Sequence, residues 1–129
     1  MTTNELLIKT KKASRILSSL SESEKNKILF SIADALENYS DDILLANAED
    51  VKNAKGKLTE SMIDRLTLTG ARIKAMADGI REVADLADPC SGIISRYERA
   101  DGLIIEKKAV PFGVIAIIYE SRPNVTSDA

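Results

Sequence analysis

Near the carboxyl end, Tyr119-Glu-Ser-Arg-Pro-Asn124 gathers a phenol, a carboxylate, a guanidinium and a primary amide within six residues. The Asn124 amide is a neutral donor of the kind that can hold a developing oxyanion. The Arg122 fork suits a phosphate or a carboxylate, and it suits a pairing with Glu120 equally well. Tyr119 either lines a ligand cleft with its ring or closes the core of the apolar run before it. Glu120 has no histidine or metal motif beside it, so a solvated or paired charge is the simpler reading. On residue types alone Asn124 also fits a plain turn, since Pro-Asn is common there. The single thiol, Cys90, sits in Asp88-Pro-Cys-Ser-Gly92, a helix-to-loop junction with no base or cation nearby in sequence to lower its pKa. It reads as structural or incidental.

Other chemistries are excluded by composition. With no histidine and one cysteine, the 129 residues offer neither a zinc site nor an internal disulfide. No G-x-G-x-x-G or Walker sequence occurs. Eighteen basic residues are scattered against twenty acidic ones, a net charge of −2, which argues against a nucleic-acid surface. No apolar stretch approaches the roughly 20 residues of a membrane span, and the first residues lack the apolar core of a signal peptide. A reducing, cytoplasmic location is expected.

The elements that must position the Tyr119–Asn124 group are helical from about residue 2 to 88. Leu6, Ala13, Leu17 and Leu20 make a first apolar stripe. Ser21-Glu-Ser-Glu24 is a capping box, in which serine and glutamate satisfy each other's free amides at the start of a second helix. Ser40-Asp41-Asp42 places cap chemistry and negative charge at the start of a third, which Gly56 ends. A fourth starts near Thr59. Ile73, Met76, Ala77, Ile80, Val83, Ala84 and Ala87 repeat at helical spacing, so a fifth helix buries one face and ends before Pro89. Gly79 lies within it, where a closely packed neighbour would offset its cost of up to about 1 kcal/mol.

Beyond Pro89 the pattern turns to strand. Leu103 to Val110 is rich in β-branched residues after an Asp101-Gly102 turn, and a strand is expected at about 103–110. Residues 113–119 are nearly continuously apolar, the mark of a strand buried on both faces in a parallel α/β sheet. Val114, Ile115, Ile117 and Ile118 would each contribute roughly 1.5–3 kcal/mol on full burial, and the chain offers few partners to cover them. The expectation is therefore the N-terminal part of a longer α/β protein. A self-contained, non-catalytic helical interaction module is the alternative.

"DGLIIEKKAVPFG" and "VPFGVIAIIYESRPNVTSDA", preceded by helices and by "MIDRLTLT", closely resemble the N-terminal region of the glutamate-5-semialdehyde dehydrogenases, or γ-glutamyl phosphate reductases, of the aldehyde dehydrogenase superfamily. The resemblance runs along essentially all 129 residues. It implies the helices and first strands of a nucleotide-binding domain, incomplete in this chain, with the 103–110 strand near the region used for oligomerisation. It further implies NADP-dependent reduction of γ-glutamyl phosphate, a catalytic cysteine outside these residues, and a homo-oligomer at full length. Superfamily members hold the reacting oxyanion partly with an asparagine in a Pro-Trp-Asn motif. Asn124 after Pro123 matches it without the tryptophan. Arg122 then becomes the candidate substrate-binding residue, and Tyr119 and Glu120 the candidates beside the cofactor. The fragment alone is expected to be inactive.

Overall fold

The computed structural model describes residues 2–90, 92–120 and 122–129. Five helices come first: α1 (Thr3–Leu17), α2 (Glu22–Asn38), α3 (Ser40–Ala54), α4 (Glu60–Leu66) and α5 (Gly70–Ala84). Strands β1 (Ile93–Glu98) and β2 (Ile104–Lys108) follow, and a single turn, α6 (Val125–Asp128), comes last. The chain divides into two compact units. One holds the described residues up to Asn26 with those from Leu86 to Ala116, the other Lys27–Asp85 with Ile117–Ala129.

Side-chain caps start four of the first five helices, those of α2 and α4 where the spacing predicts them. Thr2 and Glu5 exchange hydrogen bonds in a capping box that opens α1. At α2, Glu24 accepts from the Ser21 amide at 2.8 Å while the Ser21 hydroxyl accepts from the Glu24 amide at 3.3 Å. Thr59 and Thr69 cap α4 and α5 through their hydroxyls. The exception is α3, for which Ser40 was the expected cap. Tyr39 occupies the cap position without a side-chain bond, and Ser40 is already helical. Only a one-residue break separates α2 from α3, leaving no extended residue from which a serine could cap.

The core of the second unit is the face of α5 read from its spacing: Ile73, Ala77, Ile80 and Ala84 are buried, with Ala33 of α2 packed against Ala77 and Ile80. Leu29 and Leu36 of α2 flank that contact. At its edge Arg81 donates to Glu37 at 2.6 Å and to Asp34 at 2.9 Å, tying α5 to α2. The hydrogen bond from Arg81, foremost, holds the Glu37 carboxyl below its ordinary value of 4.5. Val83 and Ala87, counted on the same stripe, are exposed. Gly79 has no neighbour within 4 Å of where a Cβ would stand, so the expected close packing over it is absent.

In the first unit β1 and β2 form an antiparallel hairpin, with Arg96 opposite Glu106 and Tyr97 opposite Ile105. Asp101-Gly102 makes its turn, as expected; Gly102 has φ 82°, which suits a residue without a Cβ. The β1 strand was not anticipated, because Ser95, Arg96 and Glu98 interrupt its apolar pattern. Also in this unit, Lys25 donates to Asp88 at 2.6 Å, and Asp88 accepts from the Cys90 amide at 2.9 Å. The lysine first, then that amide, lowers the Asp88 pKa.

The strand expected at 113–119 is not formed. These residues make no ladder, and their side chains are exposed, Ile118 at 99% and Ile115 at 66%. A strand exists only by pairing, and the one ladder among the described residues joins β1 to β2. The apolar run is present without the sheet that its composition anticipates.

Candidate functional site

The corner between α4 and α5 is built by two long-range side chains. Asn47 of α3, 7% exposed, donates to the Leu66 carbonyl at 2.9 Å and accepts from the Leu68 amide at 2.7 Å. Arg72, in the first turn of α5, donates to the Asp64 carbonyl at 2.6 Å and to the Thr67 carbonyl, and its second nitrogen lies 3.2 Å from the Asp64 carboxylate. Three carbonyls and an amide that no helix satisfies are thereby paired. The loop between the helices is set in one conformation without a glycine. Neither Asn47 nor Arg72 was singled out from sequence. Asn47 sits on a helical stripe with Ile43, Leu44 and Val51, and a polar residue at that spacing is the signal available.

Beside this corner lies α6, which rests on α5. Its Ser127 and Asp128 share a surface hollow with Met76 and Gly79. Asn124 is the residue before α6, with helical backbone angles, and its side chain does not cap the helix. Its amide nitrogen instead donates to the Asp128 carboxylate at 3.1 Å, one turn along. The Tyr119 hydroxyl is 2.5 Å from the Thr126 hydroxyl, which draws the end of the apolar run back onto α6.

Between corner and α6 is a cleft of about 370 Å³, lined by Asp64, Arg65, Thr67, Leu68 and Arg72 from the corner and by Arg122, Asn124 and Asp128 from α6 and the residues before it. Arg122 and Asn124, chosen from sequence for anion and oxyanion binding, thus share one concave surface. It is mixed in charge: three guanidinium groups face two carboxylates. Amide and guanidinium donors converging in a cleft can hold an anionic group and a carbonyl oxygen together.

Tyr119 and Glu120 do not line that cleft. Tyr119 is half exposed and engaged with Thr126, so of its two readings the one that closes a core does not hold. Glu120 is exposed. Cys90, partly buried in the first unit, carries its amide on Asp88. Among the described residues no group of three or more histidine, cysteine, aspartate or glutamate side chains could hold a metal ion. Likewise, no helix of the described residues is long and apolar enough to cross a membrane.

Comparison with known proteins gives a consistent result. The chain is 53% identical over 123 residues to the γ-glutamyl phosphate reductase of Lachnospira eligens and 52% identical over 127 residues to that of Neisseria meningitidis serogroup A. These matches cover 95% and 98% of the chain and 30% of each relative. Among solved structures it superimposes on the γ-glutamyl phosphate reductase of Thermotoga maritima with a TM-score of 0.89 at 42% identity, covering 92% of this chain and 29% of that one. For the Saccharomyces cerevisiae enzyme the values are 0.88 and 34%, with 99% and 33% covered. The chain therefore spans about 30% of the length of the relatives it matches. No protein-family model matches it.

Proposed function

We infer that this chain, which matches the γ-glutamyl phosphate reductases in sequence and fold along nearly its whole length, is the N-terminal portion of such an enzyme and supplies part of its substrate cleft. The reaction is reduction of an acyl phosphate, γ-glutamyl phosphate, to glutamate 5-semialdehyde with loss of phosphate, a step of proline biosynthesis. The observation that carries this reading is the 53% identity over 123 residues. The convergence of Arg122 and Asn124 on one cleft supports it.

Attack on an acyl phosphate turns its carbonyl oxygen into an oxyanion. On this reading Asn124, which lines the cleft, donates to that oxygen, and the amide costs no proton transfer in doing so. One of its two N–H bonds is engaged by Asp128, which holds the amide plane; the other is directed by the same constraint. Arg122, with no ion pair to a described residue, is the donor for the phosphate or the carboxylate of the substrate. The nucleophile, on this reading, is a cysteine outside these residues, and Cys90 sits at a helix-to-loop junction with its amide on Asp88.

A nicotinamide cofactor, NADP in this reading, would supply hydride when bound. What the chain itself offers it is limited. The half-exposed Tyr119 ring can pack on a planar group, and the exposed Glu120 carboxylate can accept from ribose hydroxyls. A carboxylate at Glu120 is unsuited to a 2′-phosphate, so these two residues fit the nicotinamide half of the molecule and not its adenosine half. The β1–β2 hairpin, with Ile93, Ile94, Tyr97, Leu103 and Ile104 exposed, is the region assigned to homo-oligomer formation. Nothing in the structure favours the alternative of a non-catalytic helical module, and a cytoplasmic location goes with the biosynthetic role.

The decisive experiment is an assay of the full-length protein that carries this chain, following acyl-phosphate-dependent NADPH oxidation or phosphate-dependent NADP reduction with the semialdehyde. Turnover that requires phosphate in the second direction is the expected result. A purified, folded protein with no phosphate-dependent turnover in either direction would overturn the reading.

A further inference from the structure

We propose that Arg65 is a second anion-binding side chain of this cleft, acting with Arg122 as a two-point receptor for an oxyanion of the substrate. The proposal rests on the reductase reading above and deepens it. It starts from how the charges of the cleft are already used. Arg72 is committed: its guanidinium is spent on the Asp64 and Thr67 carbonyls and lies against the Asp64 carboxylate. The Asp128 carboxylate takes the Asn124 amide. Both acids of the cleft therefore have partners, whereas the guanidinium groups of Arg65 and Arg122 make no hydrogen bond or ion pair with any described residue.

Two guanidinium groups without partners on one concave surface repel each other, and an anion placed between them removes that repulsion while satisfying both forks. The backbone that carries Arg65 is held in place. The residue projects from the last turn of α4, whose end is fixed by Asn47 and Arg72 through the corner described above. Arg122 belongs to the segment leading into α6, so the two arginines come to the cleft from different elements. The competing role for Arg65 is favourable interaction with the negative end of the α4 dipole, which stabilises the helix and touches no ligand.

The acyl phosphate bears two anions that such a pair could take, its phosphate and its α-carboxylate, and the test separates them. In the full-length enzyme, Arg65→Ala and Arg65→Lys are compared with wild type for the KM of the acyl phosphate, for inhibition by inorganic phosphate and by glutamate, and for Tm. Loss of one charge-assisted, two-pronged contact predicts a rise of roughly tenfold to a hundredfold in KM for Arg65→Ala, with partial recovery in Arg65→Lys and an unchanged Tm. A parallel rise in the phosphate inhibition constant assigns the pair to the phosphate; a rise in that for glutamate assigns it to the carboxylate. KM and both inhibition constants within twofold of wild type overturn the proposal, whether or not Tm falls. Should Arg65→Ala fail to fold, the same twofold criterion applied to Arg65→Lys decides. Wild-type protein without turnover would instead count against the reductase reading itself.

Discussion

The amide of Asn124 donates to the carboxylate of Asp128 across one turn of α6, at 3.1 Å. An acid that holds a donor in place also competes for it. If Asn124 is the oxyanion donor, Asn124→Ala in the full-length enzyme is expected to lower kcat by about 10²–10³, the range for loss of one such donor. Steady-state kinetics with the acyl phosphate check this, and a kcat within twofold of wild type would remove Asn124 from the chemistry.

Asp128 gives a sharper version of the same test. If its carboxylate only orients Asn124, Asp128→Ala should lower kcat by less than Asn124→Ala, and the double variant should fall no further than Asn124→Ala alone. Independent multiplication of the two losses would mean that Asp128 acts on the substrate by itself.

How far the site was legible depends on the range of the interactions. The Ser21–Glu24 capping box, the buried face of α5 and the Asp101-Gly102 turn depend on neighbours within a few residues, and they stand in the structure as their spacing implies. Asn47 and Arg72 were missed because their partners are carbonyls and an amide, which carry no side-chain signature, and in the case of Asn47 lie 19 and 21 residues away. Residues 113–119 failed for another reason. Their composition specifies a buried strand, but pairing is a property of two segments, and a run of isoleucines cannot provide its own ladder. The Arg122–Asn124 elbow was found from its residue types, while the Arg65 side of the cleft became visible only when α4 and α6 were brought to the same surface.

Asn47 carries a stability prediction. Asn47→Ala leaves the Leu66 carbonyl and the Leu68 amide without partners at a partly buried corner. A loss of about 2–3 kcal/mol is expected, from two net hydrogen bonds and the desolvation of the groups left behind. Urea unfolding of the full-length protein checks it. An unchanged midpoint would show that water replaces the amide without cost.

The Arg81–Glu37 contact fixes the direction of a pH effect. Because Arg81 depresses the Glu37 pKa below 4.5 in the folded protein, the unfolded chain takes up the proton first as pH falls. Its stabilisation is thus fully present above the ordinary carboxyl range and fades as pH drops below about 4.5, through the lower folded value. Glu37→Gln should flatten the acid side of a Tm-against-pH profile and leave the profile above pH 6 parallel to wild type. Equal acid slopes in the two proteins would contradict the assignment.

Cys90 offers the cleanest separation of a merely present thiol from a reacting one. Its amide is tied to Asp88, whose carboxylate is already held by Lys25, so the bond that fixes this junction is made by backbone and not by sulfur. Cys90→Ser preserves that amide and nearly the same volume. Activity of the full-length enzyme should therefore stay within about twofold of wild type, as should its inactivation rate by a thiol-alkylating reagent, because the reacting thiolate is a different cysteine. Complete loss of turnover in Cys90→Ser, with an unchanged Tm, would return this thiol to the reaction and displace the nucleophile assigned outside the chain.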